Sequence, residues 1–190
     1  MSLTREQVID TAVSILTRFG LADLSMRRLA RELDVQPGAL YWHVENKQVL
    51  LVEVAARLLD TVPAGVGRGG HDDAADLKRL VVAVRRALVP IPDAADVVAV
   101  AWAVEPGSVP ALVAMRGLVD ALVGPGAQAQ AVTDLLLHHI LGSVAAHQNR
   151  VRAAAADTTL PTPDEARAAS RFEEGVDVVL RGVPRASAAD

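Results

Sequence analysis

The chain of 190 residues contains no cysteine, which removes a disulfide framework, thiolate chemistry and any cysteine-ligated metal. It has no long hydrophobic run either. The most apolar charge-free stretch, VVAVAWAV over residues 97–104, falls far short of the roughly 18 residues that span a bilayer, so no membrane-spanning protein is expected. Thr4, Arg5 and Glu6 stand where a signal peptide would carry an apolar run, and the expected compartment is the cytoplasm. Catalytic signatures are missing too: there is no phosphate loop, no HExxH and no serine in a GxSxG elbow, and Glu173 and Glu174 are adjacent rather than facing. No segment sustains strand alternation. Positive charge is not in excess, since residues 1–60 carry seven basic and eight acidic side chains and the whole chain stands at −4. Any affinity for a polyanion must therefore come from placement, not from bulk charge.

What the chain does have is apolar content, 51% of its residues, enough for a chain of this length to bury roughly two thirds of its unfolded surface. The richest stretch is SMRRLARELDVQPGALYWHVENK, residues 25–47. Ser25 is a good N-cap, and Leu24 before it can staple onto Leu29. A helix starting at about Met26 then buries Leu29, Ala30 and Leu33 and leaves Arg27, Arg28 and Arg31 outside that stripe, Arg27 and Arg31 sharing a face. Asp34 sits where the helix must stop and tolerates a left-handed turn. Pro37 restarts a short helix to about His43, too short to stand alone and held through Val35 and Leu40.

A further helix precedes this pair. Thr4 and Gln7 form a capping box with a staple from Leu3 to Val8, the stripe is Val8, Ala12, Ile15, Leu16 and Phe19, and Gly20 closes it. Three helices on one small core with the last one presented make a helix-turn-helix, whose final helix enters the major groove. Breakers organise the remainder: Asn46 caps a fourth helix to about Val62, the glycine-rich 63–72 is a loop, and a fifth helix over 74–89 stops at Pro90 and Pro92. Shorter helices fill 94–104 and 109–122, a long one runs over 127–154, and a last one over 164–181. The expected fold is all-α, with about nine to ten helices, a three-helix head over residues 1–47 and a larger helical domain over 48–190.

The head and the run LYWHVENKQVLL, residues 40–51, resemble the tetracycline-repressor (TetR) family of bacterial regulators, whose pattern is met throughout residues 4–60. HHILGSVAAHQNR (138–150) and FEEGVDVVLRG (172–182) are similar to the last two long helices of tetracycline repressors proper. The resemblance implies a homodimer that binds a palindromic operator and is released by a small molecule; a twofold pair of presented helices stands about 34 Å apart, one turn of DNA. Arg27, Gln36, Tyr41, Trp42 and His43 match family contact positions, with Pro37 opening the helix and Lys47, Arg27 and Arg28 placed for phosphates. Gly38 and Ala39 on the reading face offer only close approach or a thymine-methyl contact. Tyr41 and Trp42 could instead pack the head. Leu141, Phe172, Val176, Val179 and Leu180 would lie in a four-helix dimer interface; the pattern alone equally allows packing inside one subunit.

In this family the larger domain holds the small-molecule pocket, and ligand binding moves the fourth helix. Val98, Trp102, Met115, Leu135 and His138 are large groups that either face such a cavity or serve as core. Alignment puts the family's metal-chelating His at Val98 and its second-subunit carboxylate at Ala146, so no magnesium-tetracycline chelate is implied. His138 and His139 point to different sides of their helix and His147 lies about 12 Å along it from His139, so no metal site and no cofactor are expected. Two alternatives remain open: a DNA-binding regulator without small-molecule control, and a helical enzyme. The operator, the regulated genes, the effector and the choice between induction and corepression are not written in periodicity.

Overall fold

The structure is a computed structural model that describes residues 3–63 and 72–183. Its regular elements among these residues are nine α-helices: α1 (Arg5–Phe19), α2 (Met26–Glu32), α3 (Pro37–Leu40), α4 (Lys47–Leu58), α5 (Asp73–Leu88), α6 (Ala94–Val104), α7 (Pro110–Val123), α8 (Ala127–Ala156) and α9 (Glu165–Gly182), with 3₁₀ turns at Leu21–Asp23 and Pro106–Ser108. The expected glycine-rich loop lies outside the described residues except for Pro63 and Asp72 at its ends.

Local chemistry sets the helix ends. Thr4 Oγ1 accepts from the Gln7 amide at 3.2 Å while Gln7 Oε1 accepts from the Thr4 amide at 2.9 Å, satisfying two orphan donors reciprocally. Ser25 and Asn46 each accept from the third amide of α2 and α4, and Asp72 caps α5. Asp34 takes a left-handed φ of 53°, which lets the chain turn sharply between α2 and α3. α3 has only four residues, shorter than expected, because the chain continues as a turn in which the His43 and Val44 amides both donate to the Leu40 carbonyl at 2.9 Å. α4 ends at Leu58 rather than near Val62, where the chain tightens into turns in which the Asp60 amide donates to the Arg57 carbonyl and the Val62 amide to the Leu59 carbonyl. Leu59 and Val62 nevertheless remain buried through a turn.

A continuous apolar core runs through the whole molecule, from Ile15, Leu29 and Leu40 in the head, along Leu50, Val54 and Ala55 of α4, to Leu80, Val98, Leu112, Leu136 and Ile140. Each fully buried Leu or Ile contributes about 1.5–3 kcal/mol relative to exposure. Because α4 packs along both α1 and α6, it ties the head to the larger body. Phe19 departs from the expected stripe: it is 41% exposed. At the last turn of α1 its ring is instead covered by guanidinium groups, Arg28 at 3.9 Å and Arg18 at 4.9 Å from the centroid, an electrostatic attraction to the ring face.

α9 is fastened by buried polar groups as well as by apolar packing. Arg85 of α5, 3% exposed, gives a forked pair of bonds to Glu165 at 2.7 and 3.3 Å and one to Ser143 at 2.8 Å. A buried guanidinium requires such partners, since removing one strands a charge in a poorly solvated place. Further along, Phe172 and Val176 are 2% and 0% exposed. The Phe172 ring stacks on His139 of α8 with centroids 4.6 Å apart, and Gly175 lets the two helices close over that imidazole.

Candidate nucleic-acid interface

α2 and α3 are held from below by Leu29, Ala30, Leu40 and Val44, so the side chains between those anchors are forced outward. Arg27, Gln36, Pro37, Gly38, Tyr41, Trp42 and Lys47 are exposed, and Ala39 and His43 are half-buried. Tyr41 is 52% exposed and Trp42 88%. A tryptophan so exposed is not packing the head. These exposed positions include two aromatics, an amide and two cations, the mixture that phosphates and groove edges recognise. Among the described residues no carboxylate pairs with Arg27, Arg31 or Lys47.

Arg28 differs from the expectation that set it beside Arg27 and Lys47 for phosphate contact. It pairs with Asp23, lies over Phe19 and keeps only 20% of its side chain exposed. Its partners lie on the 3₁₀ turn and α1, so it braces α2 against the rest of the head. Sequence spacing could not separate Arg27 from Arg28, because Asp23 and Phe19 reach Arg28 only after the chain folds back.

The expected pocket residues do not gather. Val98 and Met115 are fully enclosed in the core, while Leu135 is 52% exposed and His138 is exposed on the outer side of α8. The expectation that Leu135 and His138 face an internal cavity is thus corrected: α8 has its buried face on Leu136, Leu137 and Ile140, one residue out of phase with Leu135. Trp102 lines a cavity of about 280 Å³ with Pro106, Gly107, Leu112, Arg116 and Gln130. Arg116 and Gln130 were missed by sequence reasoning; they are polar, and only the docking of α7 on α8 brings them beside the indole.

The expected dimer stripe is corrected at Phe172 and Val176 alone. Phe172 and Val176 point into their own subunit, and Leu141, Val179 and Leu180 are half-buried against its core. The outer face of the α8–α9 pair carries other residues: Ala131, Leu135, His138 and Gly142 on α8, and Val178 on α9, 61% exposed. These recur at intervals of three and four, the spacing of a helical seam. No group of three or more His, Asp or Glu fit to hold a metal occurs among the described residues.

Comparison with known proteins matches this geometry to one group. The family model "Bacterial regulatory proteins, tetR family" matches residues 8–54. The chain is 39% identical over 100 residues to the tetracycline repressor protein class D of Escherichia coli, covering 50% of this chain but 44% of that one, so it spans less than half the length of that relative. It is 30% identical to the class G tetracycline repressor of Vibrio anguillarum over 147 residues, 77% of this chain and 70% of the relative. The crystal structure of Mycobacterium smegmatis BioQ superposes with a TM-score of 0.79 at 30% identity, covering 95% of this chain and 97% of that one. A structure of BioQ with its natural double-stranded DNA operator gives 0.75 at the same identity and coverage.

Proposed function

The chain belongs to the TetR family of bacterial regulators, and on that premise we propose that it is a repressor that binds a palindromic operator as a homodimer and is released by a small molecule. The observation that carries this reading is the outward face of the head, where Trp42 and Tyr41 stand exposed beside Arg27 and Lys47 with nothing in the core requiring them there. α3 enters the major groove; Arg27, Tyr41 and Lys47 take phosphates and fix the register. Gln36 and His43 supply polar base contacts, and Gly38 and Ala39 permit close approach. With so few cations per head, useful affinity comes from two heads together.

The dimer is formed by the outer seam of α8 and α9, with Leu135 and Val178 as its apolar anchors. The residues 1–47 act as the DNA-binding unit and 48–190 as the ligand-binding and dimerisation unit. The effector occupies the Trp102 cavity, its flat part against the indole and its polar part toward Arg116 and Gln130. Occupancy acts on α6 and so on α4, which touches both α6 and α1. A ligand favouring the released state need supply only a few kcal/mol of differential affinity. No described helix is long and apolar enough to cross a membrane, and the cytoplasm is the compartment proposed. A regulator without small-molecule control is the second reading, favoured by the closure of Val98 and Met115 in solid core.

The test is selection of bound duplexes from a random pool, followed by a screen for compounds that release the selected duplex. A palindrome with compound-sensitive binding is expected. A palindrome insensitive to every compound favours the second reading, and no enrichment overturns both.

A further inference from the structure

The turn between α5 and α6 is fastened on two sides by groups that serve neither the presented face nor the Trp102 cavity. From α8, Gln148 Nε2 donates to the carbonyls of Leu88, Val89 and Ile91 at 3.3, 3.3 and 2.6 Å, and its Oε1 accepts from the Asp93 amide at 3.2 Å. Asp93 stands at the N-cap of α6 in a left-handed conformation, φ 56°, yet makes no capping bond to that helix. Its carboxylate is committed elsewhere. Oδ2 accepts from the Leu21 amide at 2.9 Å, just beyond α1, and Oδ1 accepts from Arg152 of α8 at 2.6 Å. Gly20, at φ 80°, permits this approach, since a Cβ there would stand 2.7 Å from Asp93 Oδ2. One carboxylate therefore joins the head to the longest helix of the larger domain.

Beside this clasp lies a cavity of about 300 Å³. Val89, Pro90, Pro92 and Val151 give it apolar walls, and His147 and Arg152 give it polar ends. Gln148, though on its wall, has its amide already consumed by the turn. We propose that this cavity is a second small-molecule site, which takes a monocarboxylate with a compact apolar body, and that occupancy loosens the hold of Asp93 on the head. The site stands on its own geometry; its consequence for DNA rests on the function proposed above.

Size, charge and shape select that ligand class. The volume is at the small end of ligand pockets and admits roughly ten non-hydrogen atoms. Arg152 is 56% exposed and spends one N–H on Asp93 and another on Asn149, leaving three of the five donors of a guanidinium for a carboxylate. His147 is buried; its Nδ1 lies 3.0 Å from a Glu165 carboxylate oxygen but makes no hydrogen bond, which leaves a polar ring nitrogen without a partner at the cavity wall. No acidic side chain lines the cavity, so a cation finds no partner, while a phosphate would lose water from several oxygens to proline and valine. A ligand carboxylate that takes these remaining donors shares the guanidinium's charge with Asp93 and draws the exposed Arg152 side chain toward the cavity. Asp93 then holds the Leu21 amide without the charge that orients it, and the junction after α1 gains freedom.

Benzoate and its uncharged isostere benzamide test this on the full chain, by calorimetric titration and by amide exchange at Leu21. Benzoate should bind saturably and about tenfold more tightly than benzamide, since a bond to a charged group is worth that factor or more. Arg152→Gln should cost benzoate about tenfold. Val151→Phe, which fills the cavity while keeping every side chain bonded to Asp93, should abolish binding. Saturating benzoate should accelerate Leu21 exchange in the wild type and leave Val151→Phe unchanged. No benzoate binding, binding indifferent to both substitutions, or binding lost instead on Trp102→Ala overturns the site; binding without faster Leu21 exchange overturns the coupling. If the protein enriches no duplex, the DNA reading fails while these titrations still decide the site.

Discussion

Gly175→Ala tests the packing of α9 on α8 because two effects of known size oppose each other there. In an unconstrained helix the change is favourable by about 1 kcal/mol. Here, however, the new Cβ would stand 2.5 Å from Nε2 and 2.7 Å from Cε1 of His139. The imidazole has no free retreat: it stacks on Phe172 with the ring planes 9° apart, and its Nε2 lies 3.1 Å from the Phe172 carbonyl. Displacing it forfeits an aromatic pair of about 0.5–1.5 kcal/mol and a hydrogen bond of about 1 kcal/mol. Local overpacking adds about 1–3 kcal/mol. The losses exceed the propensity gain, and a net destabilisation of about 2 kcal/mol or more is expected. Urea unfolding followed by circular dichroism, at one fixed protein concentration because association shifts the transition, measures it. Gly117→Ala, an exposed site on α7 with nothing near the new Cβ, should move the other way, by up to about 1 kcal/mol. On a His139→Ala background, Gly175→Ala should become neutral or stabilising. A single Gly175→Ala variant as stable as the wild type would refute the packing argument.

Arg27→Ala and Tyr41→Ala should each weaken binding to the selected duplex about tenfold without changing oligomeric state, with affinity falling steeply as salt rises because phosphate contacts release counterions; gel-shift titration at two salt concentrations checks this, and unchanged binding by both variants removes the assigned face. Leu135→Glu or Val178→Glu should yield folded monomers in sedimentation, as both are exposed on the outer seam, whereas Phe172→Asp should lower the unfolding midpoint steeply because it buries a charge inside one subunit; folded monomers from Phe172→Asp would restore that residue to the dimer interface. The Leu21 amide first, and the Arg152 guanidinium next, hold the Asp93 carboxyl below its ordinary value of 3.8 despite partial burial. A depressed folded value means that this stabilisation is fully present above about pH 4 and is lost as pH falls through the folded pKa. Acid unfolding of Asp93→Asn should lack that component, and identical acid profiles would argue against the clasp.

Helices and their starts were legible because they depend on near neighbours along the chain, whereas the ends of α3 and α4 were not. Thr4 with Gln7, Ser25, Asp34, Pro37 and Asn46 act over one to four residues, and each does in the structure what its local chemistry implies. On α5, Leu77, Leu80, Val81, Val84 and Leu88 recur at helical spacing and are all buried. Where a helix is apolar on more than one side, periodicity cannot rank the sides. α8 offers both Leu135 and Leu136, and α9 offers both Val176 and Val178; which member goes inward depends on the partner helix.

The sequence by itself determined the helices of the described residues and the caps that begin α1, α2 and α4, since hydrophobic period and capping are written in consecutive positions. Only the tertiary structure decided that Arg28 braces the head while Arg27 stays free, that Phe172 belongs inside its subunit while Val178 faces out, and that Asp93, Leu21 and Arg152 form one clasp. The reason is distance along the chain. Asp93 lies 72 residues from Leu21 and 59 from Arg152, and contacts of that kind are set by how helices dock, which no local pattern encodes.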